Sequence, residues 1–127
     1  MAKSKILVVD DTPISRAALA LMLECAGYEV EEAANGPSAL SKFKPGLYAA
    51  IIMDFNMPSM NGFECTAKIR ALETESGTHI PIICMSTENK PDMKERCLSA
   101  GLDDFLDKAC HSDELVATVQ RLTRLDA

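Results

Sequence analysis

The chain has 127 residues and a net charge of −6; 47% of residues are hydrophobic and 25% charged. That is one domain of ordinary globular composition, which excludes a disordered tail or a low-complexity polymer. The acidic balance argues against broad nucleic-acid binding, which needs clustered Lys and Arg. The longest apolar runs, 17–23 and 47–53, fall far short of the ~20 residues that cross a bilayer. In chain order, Ile6-Leu7-Val8-Val9 reads as a buried strand ending at Asp10 and Asp11. Thr12 suits an N-cap and Pro13 a first helical position; Ala18, Leu21, Met22 and Cys25 then recur at helical spacing, with Gly27 as the stop. A shorter, more polar strand is expected at 29–33, and a helix from Asn35-Gly36-Pro37 to about Lys44. Residues 49–53 form a third strand ending at Asp54, and 55–62 a loop rich in turn formers. A helix over 63–72 follows, with Phe63, Ala67, Ile69 and Leu72 inward. The remaining elements are a strand at 80–85, an exposed helix at 91–100, a short strand at 104–106, and a helix opening at Ser112-Asp113-Glu114 with Leu115, Val119 and Leu122 on its inner face.

Five strands alternating with five helices imply a parallel sheet covered on both faces. The aliphatic first, third and fourth strands suit its centre, and the polar second and fifth its edges. The five cysteines, at 25, 65, 84, 97 and 110, are odd in number and form no C-x-x-C pair. They indicate neither a disulfide framework nor a zinc site, and are expected as small buried hydrophobes. The apolar run 6–9 is too short for a signal peptide, so a cytoplasmic location is expected, with no membrane contact and no direct nucleic-acid binding.

Ligands of open α/β sheets gather at the carboxyl ends of the strands. Those ends carry Asp10-Asp11, Asp54, Ser86-Thr87 and Lys108. Carboxylates brought together repel unless a cation or a shared proton intervenes. Mg2+ takes one or two carboxylates and leaves positions for phosphoryl oxygens, which Lys108 and Ser86 would also contact. Asp54 is then a candidate nucleophile forming an aspartyl phosphate. No nucleotide-binding glycine motif is present, so the donor must be another protein or a small phosphoryl compound.

Over about residues 4–124 the chain closely resembles the receiver domains of two-component response regulators and hybrid histidine kinases. The resemblance rests on Ile6-Leu7-Val8-Val9-Asp10-Asp11, the run from Met53 to Glu64, Pro81-Ile82-Ile83-Cys84-Met85-Ser86, and the run from Ala100 to Lys108. It is strongest to receivers of hybrid kinases and phosphorelays. It implies a single receiver domain over 1–127 with a (βα)5 flavodoxin-like, three-layer fold and strand order 2-1-3-4-5. It further implies that Asp54 accepts a phosphoryl group from a histidine kinase or histidine phosphotransfer protein. By the same resemblance, Asp11, Asp54 and the Asn56 carbonyl bind Mg2+, with Asp10 acting partly through water, and Ser86 and Lys108 contact the phosphoryl group. Phe105 matches an aromatic switch position that answers to Ser86. Asn56 and Glu88 match positions that tune self-dephosphorylation. Output is expected through helix 4, strand 5 and helix 5. Beyond assisting its own phosphorylation and dephosphorylation, no separate substrate turnover is expected.

The chain departs from the pattern in three places. Ala109 stands where the family usually has a proline after the lysine, typically joined by a cis bond. Either Lys108–Ala109 is cis, at a cost of ~2.5–4 kcal/mol, or it is trans and the loop at Cys110-His111 is reshaped. Thr87 replaces a small residue beside the hydroxyl, which narrows access to the phosphoryl group, and Phe105 lacks a tyrosine's hydroxyl, so it would switch by packing alone. These departures motivate an alternative, a receiver-like protein-binding module that does not switch. A phosphatase using Asp54 is a third class, but Asp54-Phe55-Asn56 lacks the second Asp that would serve as its general acid. Away from the strand ends, Asp103 and Asp104 are expected to be solvated, His79 and His111 to be exposed loop residues with no partner at ligand spacing, and the methionines to fill the core or plug loops.

Overall fold

The computed structural model describes residues 4–87 and 90–124. Its elements are β1 (Lys5–Val9), α1 (Pro13–Cys25), β2 (Glu29–Ala33), α2 (Gly36–Lys42), β3 (Ala50–Asp54), α3 (Gly62–Glu73), β4 (Ile82–Ser86), α4 (Met93–Ser99), β5 (Asp104–Asp107) and α5 (Ser112–Arg124). The strands form one parallel sheet of order β2-β1-β3-β4-β5. The expected fold class and strand order are both found.

Strand alternation divides the core into two layers. Leu7 and Val9, Ile51 and Met53, Ile82 and Cys84 face one side, where Ala39, Cys65, Ile69, Met93 and Cys97 of α2, α3 and α4 pack. Ile6 and Val8, Ala50 and Ile52, Ile83 and Met85 face the other, against Leu19 and Leu23 of α1 and Leu115, Val119 and Leu122 of α5. Central strands buried on both faces must be apolar along nearly their whole length, which is how β1, β3 and β4 read between Lys5 at the start of β1 and Asp54 and Ser86 at the ends of β3 and β4.

Several local expectations are corrected. α1 buries Leu19, Ala20 and Leu23, one step away from the expected face, while Leu21 is 62% exposed. The segment 17–23 is apolar throughout, so its periodicity does not select a face. α3 buries Cys65, Thr66 and Glu73 beside Ile69 and leaves Ala67 and Leu72 outside. β4 begins at Ile82, after Pro81, whose carbonyl accepts from the Ile51 N–H. Three of the cysteines, Cys65, Cys84 and Cys97, are buried; Cys25 is exposed.

Asp103 and Asp104 are not solvated. Arg70 donates to the carboxylates of Glu73 and Asp103 and to the carbonyls of Ile80 and Gly101. Asp103 also accepts from the Ile82 N–H and pairs with His79, which remains exposed. Asp104 is buried, pairing with Arg121 of α5 and Lys94 of α4. No helix among the described residues is long and apolar enough to cross a membrane.

Candidate functional site

Strand register builds the site. Val9 pairs with Met53, Asp54 with Met85, and Ser86 with Asp107. The carboxyl ends of β1, β3, β4 and β5 therefore finish within two residues of one level; Asp54 and Ser86 end β3 and β4, and Asp10 and Lys108 directly follow β1 and β5. One carboxylate oxygen from each of Asp10, Asp11 and Asp54 lies within 4.8 Å of the others. Asp10 is 0% and Asp54 3% exposed, and Asp11 is the most open of the three. Lys108 Nζ enters from the β5–α5 loop, 3.1 Å from Asp10 Oδ2 and 3.2 Å from Asp54 Oδ1. One ammonium thus stands beside a cluster of three carboxylates and pairs with two of them.

This imbalance sets the electrostatics. Burial first, and the Asp10 charge second, push the Asp54 carboxyl up to about 7, against the opposing pull of Lys108. Burial alone would draw the Lys108 ammonium down, but hydrogen bonds to and the charges of Asp10 and Asp54 together hold it above its usual value. A divalent cation would remove the repulsion, and the cluster offers the one or two carboxylates that Mg2+ takes beside other oxygen ligands. The residues present fit that ion.

Asp10 is held by groups that the sequence reading missed. Its Oδ1 accepts from the Thr12 N–H, and its Oδ2 from the Ser15 hydroxyl at 2.7 Å as well as from Lys108. Arg16 donates to the Asp10 carbonyl and pairs with Glu32. The expected Thr12 side-chain cap is absent; Asp10 takes the Thr12 N–H instead. The clue in the sequence was spacing: Ser15 and Arg16 fall on the first turn of a helix that starts directly after the acids.

Asp54 rests on a close backbone crossing. Gly62, which opens α3, donates its N–H to Phe55, and a Cβ placed on it would stand 2.8 Å from the Asp54 carbonyl oxygen. Asn61 and Glu64 close a capping box at this helix start. Asn56 turns its N–H onto Asp54 Oδ1 at 3.3 Å, so its backbone borders the cup while its side chain is exposed.

The other expected site residues are placed as follows. Ser86 is buried at the end of β4, and its carbonyl accepts from the Lys108 N–H. Thr87 is exposed beside it. Phe105 is half-buried against the core layer of α3 and α4. Glu88 lies outside the described residues. No peptide bond among the described residues is cis. Of the two geometries open at Lys108–Ala109, the chain takes the trans one, and the lysine still reaches both carboxylates.

The pattern described as "Response regulator receiver domain" matches residues 6–120. Over 88% of its length the chain is 33% identical to hybrid signal transduction histidine kinase B of Dictyostelium discoideum, and it covers 6% of that protein. It is 36% identical to the sensor histidine kinase RcsC of Salmonella typhi over 90% of its own length and 12% of the kinase. The chain thus spans only a small part of these curated relatives. Among solved structures it is similar to the receiver domain of sensor histidine kinase PA1611 from Pseudomonas aeruginosa, which carries a magnesium ion coordinated in its active-site cleft. The TM-score is 0.84 at 34% identity, covering 96% of this chain and 98% of that one. Chemotaxis protein CheY4 of Vibrio cholerae matches with TM-score 0.82 at 37% identity, covering 95% and 99%.

Proposed function

We propose a function from one premise: the chain belongs to the response regulator receiver domain family, and is a receiver domain of two-component signalling. The proposal is that it takes a phosphoryl group onto Asp54 from a histidine kinase or histidine phosphotransfer protein. The observation that carries it is the acidic cup, with three carboxylate oxygens within 4.8 Å and one lysine across from them.

Asp11 and Asp54, with the Asn56 carbonyl, would hold Mg2+, with Asp10 beside them. When bound, the ion supplies the positive charge that the cup lacks and that a phosphoryl group requires. An Asp54 carboxylate oxygen attacks phosphorus. The new P–O bond forms as the bond to the histidine nitrogen breaks, and the electron pair leaves with that nitrogen. Lys108 meets one phosphoryl oxygen and the Ser86 hydroxyl another. The same groups assist hydrolysis of the adduct, with Asn56 and Thr87 beside the cup, and the chain acts on its own phosphoryl group alone.

The signal leaves through α4, β5 and α5. These elements are tied by Asp104, which pairs with Lys94 on one side and Arg121 on the other. A phosphoryl group that draws Ser86 toward it opens room for Phe105, the kind of two-state element a charge can bias. The trans bond at Ala109 leaves Lys108 in the cup, which removes one motive for a non-switching module.

Incubation with Mg2+ and acetyl phosphate tests the proposal. An acid-labile, hydroxylamine-sensitive adduct is expected on the wild-type chain and none on Asp54→Ala. Absence of the adduct, or its persistence in the variant, overturns the reading.

A further inference from the structure

Lys108 owes its position to a short turn that its own sequence makes. The Lys108 N–H is bound to the Ser86 carbonyl at 3.0 Å, which anchors the start of the turn to β4. The next N–H, that of Ala109, donates to Asp107 Oδ1 at 2.8 Å, and the Cys110 N–H to the Asp107 carbonyl at 2.9 Å. The lysine is therefore bracketed by hydrogen bonds on both sides of its peptide unit, two of them made by the residue before it. From this base its side chain spans to Asp10 Oδ2 and Asp54 Oδ1, and is only 18% exposed.

The Ala109 N–H is what makes this possible. The resemblance would place a proline at 109, and a proline has no N–H to give. Asp and Asn side chains close such turns by accepting from the backbone two residues on. Asp107 has no place among the expected site residues.

We infer that Asp107 is a positioning residue for Lys108, its carboxylate fixing through the Ala109 N–H the turn that a proline would otherwise fix. It touches neither the phosphoryl group nor the metal and acts through the lysine. The inference rests on the reading of Lys108 as the phosphoryl-binding cation, but its first consequence is independent of phosphorylation. An ammonium held between two carboxylates is shielded from acylating reagents; one on a loosened turn is not.

The test is the rate at which sulfo-NHS-acetate acetylates Lys108, followed by peptide mass spectrometry, with the surface lysines Lys68 and Lys94 as internal references. Asp107→Ala is expected to speed Lys108 acetylation about fivefold, the scale of one lost hydrogen bond, with the references unchanged. Asp107→Asn retains the accepting Oδ1 and is expected to react as wild type. Labelling by acetyl phosphate at saturating Mg2+ is expected to slow by a similar factor in Asp107→Ala, and not to slow further when Asp107→Ala is added to Lys108→Ala. Unchanged Lys108 reactivity in Asp107→Ala, an Asn variant as reactive as the Ala variant, or an additive effect on the Lys108→Ala background would each overturn the inference. A wild-type chain that takes no phosphoryl label overturns the proposed function instead, and the acetylation rates still decide the role of Asp107.

Discussion

The two ends of the sheet handle charge in opposite ways. At the amino end of β4 and β5, Arg70 is shared among Glu73, Asp103 and the carbonyls of Ile80 and Gly101, and the Glu73 carboxylate also accepts from the Ile80 N–H. Donors and acceptors are matched there. At the carboxyl end, three carboxylates cluster beside one lysine that pairs with two of them, and Asp54 is driven toward its neutral form. Buried charge is tolerated where it is fully paired; left under-paired, it stores a demand for a cation or a proton. The matched end holds α3, β4 and β5 together so that the unmatched end stays in place.

The sharpest way to break this contrast is at Asp54. Asp54→Asn removes the nucleophile, and loss of acetyl-phosphate labelling is expected to be complete. At the opposite end, Arg70→Ala strands the Glu73 carboxylate, which is 3% exposed. A loss of about 3 kcal/mol is expected in urea unfolding, with Asp54 still labelled wherever the fold survives. Gly62→Ala drives a methyl group onto the Asp54 carbonyl and should cost about 1–3 kcal/mol, with a weaker Mg2+ response; an unchanged response would mean that α3 does not fix Asp54.

Smaller effects sharpen the comparison. Because the folded pKa of Asp54 is raised, the folded state holds this proton more tightly than the unfolded chain. Stability linked to it is present at pH 4 and is lost as pH rises from the ordinary carboxylate range through about 7. Asp54→Asn should therefore gain about 1–2 kcal/mol at pH 8 and nothing at pH 4, as read by thermal unfolding at both values. Saturating Mg2+ should give the wild-type chain a similar gain at pH 8. At the matched end His79→Ala removes one exposed contact to Asp103 and should cost about 0.5 kcal/mol or less.

The strand ends were legible because a β-α repeat with aliphatic strands leaves few places for a carboxylate but the rim. Asp10, Asp11, Asp54, Ser86 and Lys108 were placed at the rim that way, and register brings the strand ends that carry them within two residues of one level. Ser15 was not found, because a serine on a first helical turn is ordinary until a carboxylate lies 2.7 Å away. Asp103 and Asp104 were misread as solvated because their partners, Arg70, Lys94 and Arg121, stand 33, 10 and 17 residues away. Local charge pattern carries no trace of such pairs.

By itself the sequence determined the element order, the parallel sheet and its buried centre, and the residue types at each strand end, since these follow from local periodicity and from where polar groups interrupt it. Tertiary structure alone decided which face α1 buries, which acids find a cation, and that Lys108 reaches Asp10 and Asp54 over a trans bond. Those outcomes depend on distances between segments remote in the chain, and a hydrogen bond or ion pair exists only once packing has set that distance.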